Sequence, residues 1–111
     1  MENCIFCKII KGDIPSKRYY EDEDMIVIRD IEPKAKEHYL CIPKTHFALF
    51  DEMDEKKAEI LKRCFEKIAK IYPTLGLKEG YRVIINQGEN GGQTVHHLHI
   101  HLLGGEKLSD F

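Results

Sequence analysis

Residues 94–103 constrain the fold most strongly, because histidines alternate there with apolar residues at a spacing of two. The two sets fall on opposite parities: His97, His99 and His101 on one, Leu98, Ile100 and Leu102 on the other. Successive side chains of a β-strand point to opposite faces, so this pattern predicts a strand with one apolar face and one face of three imidazoles. A face that served only solubility would more often carry Thr, Lys or Glu, so the imidazoles indicate a functional surface.

The rest of the chain predicts a small α+β domain. Apolar residues recur at three- and four-residue steps over residues 54–72, which predicts one long amphipathic helix, and residues 4–11 predict a short helix that ends at Gly12. Four further strands are predicted where β-branched and aromatic residues cluster: 18–21, 25–30, 37–42 and 81–86. No repeat or linker divides residues 1–111, so we expect a single domain with helices on one face of an antiparallel sheet of about five strands.

Composition excludes several classes of function. The 111 residues carry a formal net charge of −2, so no bulk positive field is available to hold a nucleic-acid backbone. The longest apolar runs, such as Met25 to Ile28, have four residues, far below the about 18 that a membrane span needs. The chain opens on an acid rather than on a basic signal sequence, so we expect a cytoplasmic protein whose four cysteines are reduced or bind metal.

Two kinds of chemistry fit three histidines on one strand face. Three imidazoles with a water ligand make a catalytic zinc site. Alternatively, the central imidazole attacks phosphorus while its neighbours orient it and stabilise the phosphoryl oxygens. A Gly-rich loop over residues 88–92 precedes the strand, flanked by the neutral polar side chains of Asn86, Gln93 and Thr94. Because glycines let backbone N–H groups approach phosphate oxygens closely, this loop favours the second chemistry.

Motifs along nearly the whole chain resemble the histidine-triad (HIT) family, in its Hint-like branch. His97 to Leu103 fit the signature His-φ-His-φ-His-φ-φ, in which φ is apolar. Further motifs stand in the family's order: residues 4–10 (CIFCKII), Ile14-Pro15, Asp30-Ile31, residues 40–44 (LCIPK) with His46, residues 80–82 (GYR), Asn86, and residues 91–95 (GGQTV).

The resemblance implies a HIT fold that forms a homodimer, and hydrolysis of purine nucleoside 5′-phosphoramidates through a nucleotidyl-histidine. It implies that the nucleophile His99 works beside His97, with one ring nitrogen fixed by a hydrogen bond, for which we expect a backbone carbonyl. It implies that His101 and Asn86 contact the α-phosphate, and that Gln93 and Thr94 lie near the phosphate and the leaving group. Asp30 would hold the ribose, and the remaining nucleotide contacts would be Ile5, Phe6, Ile28, Ile31, Gly92 and Val95.

The Cys4-x-x-Cys7 pair is a separate signal. Alone it fits a redox motif, half of a zinc site or two buried thiols, and the absence of a thioredoxin-like βαβ pattern disfavours the redox interpretation. Tetrahedral zinc needs two more ligands, and the sequence offers His46 and His97, an arrangement that Hint-like proteins resemble. We therefore predict a structural zinc ion held by Cys4, Cys7, His46 and His97, with Cys41 and Cys64 in the core.

Two departures from the family pattern, and two alternative functions, remain. Thr94 stands where Ser is commoner, and the residues after Gly104-Gly105 lack the family's Trp-Pro-Pro segment. The residues around Asp30 are typical of a turn, and taken alone they predict that Asp30 caps that turn. The alternative functions are a zinc-dependent hydrolase whose ligands are the three strand histidines, and a non-catalytic nucleotide-binding regulator.

Overall fold

The computed structural model describes residues 3–111 and contains five strands and two α-helices. The helices are α1 (Ile5–Lys11) and α2 (Glu55–Ile71), and the strands are β1 (Tyr20–Glu21), β2 (Met25–Arg29), β3 (Glu37–Pro43), β4 (Tyr81–Ile84) and β5 (Ile100–Gly104). Short 3₁₀ turns cover Phe50–Glu52 and Tyr72–Leu75. The predicted fold class is confirmed, with element ends shifted by one or two residues except at β5.

Local sequence signals account for the helix ends. The Asp54 carboxylate accepts a hydrogen bond from the Lys57 amide at 2.8 Å and so caps the first turn of α2. Helix α1 is capped by Cys4, whose Sγ accepts the Cys7 amide at 3.3 Å. It ends at Gly12, whose φ of 90° is a left-handed conformation that glycine adopts without strain. The cap at Cys4 also holds two thiols side by side at the start of the chain.

The strands form one antiparallel sheet in the order β1-β2-β3-β5-β4. Met25, Val27 and Cys41 face α2 and join the larger apolar cluster, which also contains Leu98, Ile100 and Leu102. Ile26, Ile28, Leu40 and Ile42 lie in a second cluster with Phe6 and Ile9 of α1. The expectation that the helices share one face is therefore wrong: α1 covers the opposite face, because alternate residues of β2 and β3 are apolar on both sides.

The last strand is shorter than the predicted 94–103, since only Ile100–Gly104 is paired in the sheet. Ile100, the first residue of β5, pairs with Cys41 of β3. Strand β3 ends two residues after Cys41 at Pro43, which has no N–H to donate. The Leu98 amide instead donates to the Phe47 carbonyl at 2.7 Å. The predicted alternation of faces nevertheless holds, because Leu98 is buried on the α2 side and His97 and His99 contact Phe6 of α1. Among the described residues, no helix is both long and apolar enough to span a bilayer.

Candidate functional site

His99 lies at the entrance to β5 with its ring fixed in orientation. Its Nδ1 donates a hydrogen bond to the carbonyl oxygen of His97 at 2.7 Å, which is the backbone carbonyl that the sequence led us to expect. The Phe6 ring packs edge-on at a centroid distance of 5.0 Å. Burial lowers the pKa of His99, so the ring is neutral near pH 7. Neutral imidazole with Nδ1 protonated carries a lone pair on Nε2, and no hydrogen bond within residues 3–111 occupies that nitrogen.

His101 stands beside His99, with a ring centroid distance of 4.9 Å. Its Nδ1 is 2.9 Å from Nε2 of His38, and its Nε2 is buried without a hydrogen-bond partner among the described residues. Burial, together with the neighbouring imidazoles, lowers the pKa of His101 to about 4. A buried polar nitrogen without a partner is costly, so an unpaired Nε2 marks a position where a ligand can bind.

Sequence reasoning assigned no role to His38. Leu40 pairs directly with His101 across β3 and β5, so His38, two residues earlier, is on the same face and diagonal to that ring. Residues 38 and 40 lie on the same face of a strand, but the sequence does not show that β3 pairs with β5. Without that pairing, His38 could not be placed beside His101.

Asp30 directly follows β2, and its two carboxylate oxygens have different neighbours. Its Oδ1 accepts the Glu32 amide at 2.8 Å, so the prediction of a turn-capping acid is confirmed. Its Oδ2 lies 3.5 Å from Nε2 of His38, near the limit for a hydrogen bond. The Asp30 carboxylate therefore has one oxygen committed to the turn and one oxygen available beside the histidine cluster.

Cys4, Cys7, His46 and His97 converge between α1 and the segment that leads into β5. Nδ1 of His97 is 3.4 Å from Cys4 Sγ, 3.6 Å from Cys7 Sγ and 3.1 Å from Nδ1 of His46. Cys7 Sγ is 3.3 Å from Nδ1 of His46. Nε2 of His97 donates to the Pro43 carbonyl at 2.7 Å, so its Nδ1 lone pair points at the thiols.

These separations fit a tetrahedral zinc ion. With Zn–N near 2.0–2.1 Å and Zn–S near 2.3 Å, the edges of the tetrahedron are about 3.3 Å between two nitrogens and about 3.6 Å between nitrogen and sulfur. The four potential ligand atoms all lie within 4.8 Å of one another. Two thiols and two imidazoles are also the donor set that zinc prefers, so the residues present could hold it.

The same geometry disfavours a zinc site made from the three strand histidines. Both ring nitrogens of His97 are directed elsewhere, one to Pro43 and one to the thiols. Within residues 3–111, the clusters of potential ligands place His97 with Cys4, Cys7 and His46, and place His101 with Asp30 and His38.

Hydrogen bonds between residues 88–93 hold the Gly-rich loop in shape. The Gly92 amide donates to the Glu89 carbonyl and the Gln93 amide to the Gly88 carbonyl, both at 3.0 Å. The buried Gln93 side chain accepts the Gly88 amide at 2.9 Å and donates to the Ala48 carbonyl at 3.0 Å. Gln93, predicted to lie near the phosphate and the leaving group, is thus bonded through its side-chain amide inside the protein and shapes the loop, because a buried amide must satisfy its own donors and acceptor.

The other predicted nucleotide residues are divided between core and surface. Phe6 and Ile28 are buried in the cluster under α1, whereas Ile5 is exposed and Ile31 is 94% exposed. Asn86 lies just beyond β4, with its amide nitrogen 4.0 Å from where a Cβ on Gly92 would lie. Thr94 is exposed and lines a cleft of about 370 Å³ together with Asn3, Cys4, Ile5, His46, Val95 and His96. The structure thus brings Thr94 beside the thiol cluster, and Asp30 beside His38.

Comparison with known proteins identifies a matching family and similar proteins. Over residues 3–111 the chain matches the family described as "Scavenger mRNA decapping enzyme C-term binding". Protein HitA of Neisseria gonorrhoeae is 42% identical over 104 residues, which cover 94% of this chain and 97% of that protein. The 14 kDa zinc-binding protein of Zea mays is 44% identical over 107 residues, which cover 95% of this chain and 84% of that protein.

Solved structures agree with the sequence relatives. The HIT family hydrolase from Clostridium thermocellum Cth-393 is 49% identical with a TM-score of 0.93, and the match covers 100% of this chain and 97% of that one. From these matches, and from the three alternating histidines that lead into β5, we conclude that the chain belongs to the histidine-triad (HIT) family.

Proposed function

We propose that this protein hydrolyses nucleoside 5′-phosphoramidates and that His99 is the nucleophile. The observation that carries the proposal is that two neighbouring ring nitrogens, Nε2 of His99 and Nε2 of His101, have no hydrogen-bond partner among the described residues. Nδ1 of His99 is held by the His97 carbonyl at 2.7 Å, which leaves Nε2 as a free nucleophile, and Nε2 of the adjacent His101 is buried without a partner. One nitrogen to attack phosphorus, next to one nitrogen to bond a phosphoryl oxygen, suits nucleotidyl transfer.

In the first step, Nε2 of His99 attacks the α-phosphorus of the substrate. The bond from phosphorus to the amine nitrogen breaks, the amine leaves with an added proton, and a nucleotidyl-histidine forms. Water then attacks the same phosphorus, releases the nucleoside monophosphate and restores neutral His99. The low pKa that burial gives to His99 keeps the lone pair available throughout the neutral range.

The other predicted residues surround this reaction. His101 and Asn86 would bond the phosphoryl oxygens, and the exposed hydroxyl of Thr94 would relay a proton to the leaving amine. Asp30 would accept hydrogen bonds from the ribose hydroxyls through its available oxygen. The purine would lie against apolar residues from α1, β2 and the following turn: Ile5, Phe6, Ile28 and Ile31. Gly92, Gln93 and Val95 would complete the nucleotide site.

A structural zinc ion at Cys4, Cys7, His46 and His97 would link α1 to the segment that carries the nucleophile. The ion would supply no chemistry to the reaction there and would only hold its ligands together. His97 would then act through its backbone, since its ring faces the thiols while its carbonyl orients His99. The Zea mays relative named a zinc-binding protein supports this assignment.

The test is a turnover screen of purified protein against adenosine phosphoramidates, dinucleoside polyphosphates and nucleoside diphosphate sugars. We expect the phosphoramidate to have the highest kcat/KM. His99→Asn is expected to abolish its turnover while zinc content and affinity for adenosine monophosphate stay near the wild-type values. A protein that binds adenosine monophosphate but turns over none of the three classes is a nucleotide-binding regulator, and the proposal is then wrong.

A further inference from the structure

The buried histidine that the proposed mechanism does not use, His38, is joined to His101 by a chain of hydrogen bonds with a fixed direction. Its Nδ1 lies 3.0 Å from the Lys34 backbone amide, and its Nε2 lies 2.9 Å from Nδ1 of His101. A backbone N–H only donates, so Nδ1 of His38 must accept. A neutral His38 therefore carries its hydrogen on Nε2.

The tautomer of His101 follows from the tautomer of His38. Because Nε2–H of His38 donates, Nδ1 of His101 must accept, and neutral His101 carries its hydrogen on Nε2. Both rings are neutral in the neutral pH range, since burial lowers the pKa of each. The 2.9 Å contact with His101 is shorter than the 3.5 Å contact with Asp30 Oδ2, so His101 is the principal acceptor of this hydrogen.

An independent observation marks the end of this chain. Nε2 of His101 is buried and has no acceptor among residues 3–111. A donor hydrogen there, without a partner in the protein, requires an acceptor from outside, and a phosphoryl oxygen is such an acceptor. The unpaired nitrogen and the hydrogen bond from His38 therefore belong to one arrangement.

We propose that His38 is a positioning residue, which holds His101 as the tautomer with hydrogen on Nε2 and so presents that hydrogen to the phosphoryl group. The inference rests on the proposed function for the identity of the acceptor, and on the geometry alone for the tautomer. The Lys34 amide, in the turn that follows Asp30, sets the direction of the whole chain. Nothing in this role requires His38 to touch the substrate.

Two substitutions separate donation from packing. His38→Gln keeps an N–H donor at a position close to Nε2, whereas His38→Leu keeps a similar volume and removes the donor. We expect His38→Leu to lower kcat for the phosphoramidate about tenfold with little change in KM, the scale of one neutral hydrogen bond. His38→Gln should recover most of that loss.

Nuclear magnetic resonance of ¹⁵N-labelled imidazoles gives a second readout without any turnover. The nitrogen shifts of the ligand-free wild type should show hydrogen on Nε2 and a bare Nδ1 for both His38 and His101. In His38→Leu the His101 resonances should move towards a mixture of tautomers, and inorganic phosphate should perturb the wild-type His101 Nε2 resonance more strongly than that of the variant.

The outcomes distinguish this inference from the proposed function. Hydrogen on Nδ1 of wild-type His101 overturns the inference, whatever the protein hydrolyses. Equal losses of kcat in His38→Leu and His38→Gln also overturn it, because packing alone then explains the effect. If no substrate turns over and His101 still has the expected tautomer and phosphate response, the proposed function fails and the positioning role stands.

Discussion

Asp30 should make this protein selective for ribonucleotides, through one available carboxylate oxygen. Oδ1 is committed to the Glu32 amide at 2.8 Å, whereas Oδ2 lies 3.5 Å from Nε2 of His38. The proposed ribose contact therefore centres on Oδ2. A substrate without the 2′-hydroxyl loses one hydrogen bond to a charged acceptor, which is worth about 1.5 to 3 kcal/mol. That free energy corresponds to a loss of about 10- to 150-fold in kcat/KM.

The assay compares kcat/KM for adenosine and 2′-deoxyadenosine 5′-phosphoramidates. Asp30→Asn keeps an oxygen for the Glu32 amide but places a donor where Oδ2 was, so the ratio between the two substrates should fall towards one with the turn intact. Glu32→Gln is the matched control, because it removes a negative charge from an exposed neighbour without touching the Asp30 carboxylate. Equal kcat/KM for the two substrates in the wild type, or the wild-type ratio in Asp30→Asn, would refute the ribose assignment.

Three further predictions concern the metal, the fold and the assembly. Elemental analysis should find one zinc per chain in wild type and little in Cys7→Ser, and a variant that keeps full zinc content would remove the four-ligand site. Arg63 bonds both carboxylate oxygens of Asp24 at 2.8 and 3.0 Å, and the Asp24 side chain is only 10% exposed. Arg63→Met should therefore lower the free energy of unfolding in urea by more than Lys62→Met does, because it leaves the mostly buried Asp24 carboxylate without its partner, and equal losses would contradict this. Strand β4 is an edge of the sheet among the described residues, with Val83 47% exposed on it, so we expect a homodimer, and a monomer at micromolar concentration in sedimentation would contradict it.

Periodicity predicted the parts of the fold that depend on local pattern. Leu98, Ile100 and Leu102 lie against α2 while His97 and His99 face α1, because side-chain parity survives even where the strand is unpaired. Helix α2 differs by one residue at each end from the range 54–72 that its apolar stripe predicts. Such features are determined by neighbours in sequence, so one chain contains enough information to place them.

The features that the sequence did not reveal all depend on contacts between distant segments. The burial of Gln93 depends on the Ala48 carbonyl, 45 residues earlier, which accepts a hydrogen bond from its side-chain amide. His38 had no predicted role until the pairing of β3 with β5 placed it against His101. The strand end at Pro43, which leaves residues 94–99 outside the sheet, likewise depends on register, and hydrophobic pattern does not specify which strands meet.

The central claim, attack by His99 on phosphorus, is tested most directly by trapping the covalent intermediate. Wild-type protein is mixed with an adenosine phosphoramidate, quenched rapidly into denaturant and digested, and the peptides are analysed by mass spectrometry. We expect an adenylyl group on His99, formed and lost at rates compatible with turnover, and no adduct in His99→Asn. Turnover without any protein-bound nucleotide on the time scale of a single cycle, or an adduct on another residue of the wild type, would contradict nucleophilic catalysis by His99.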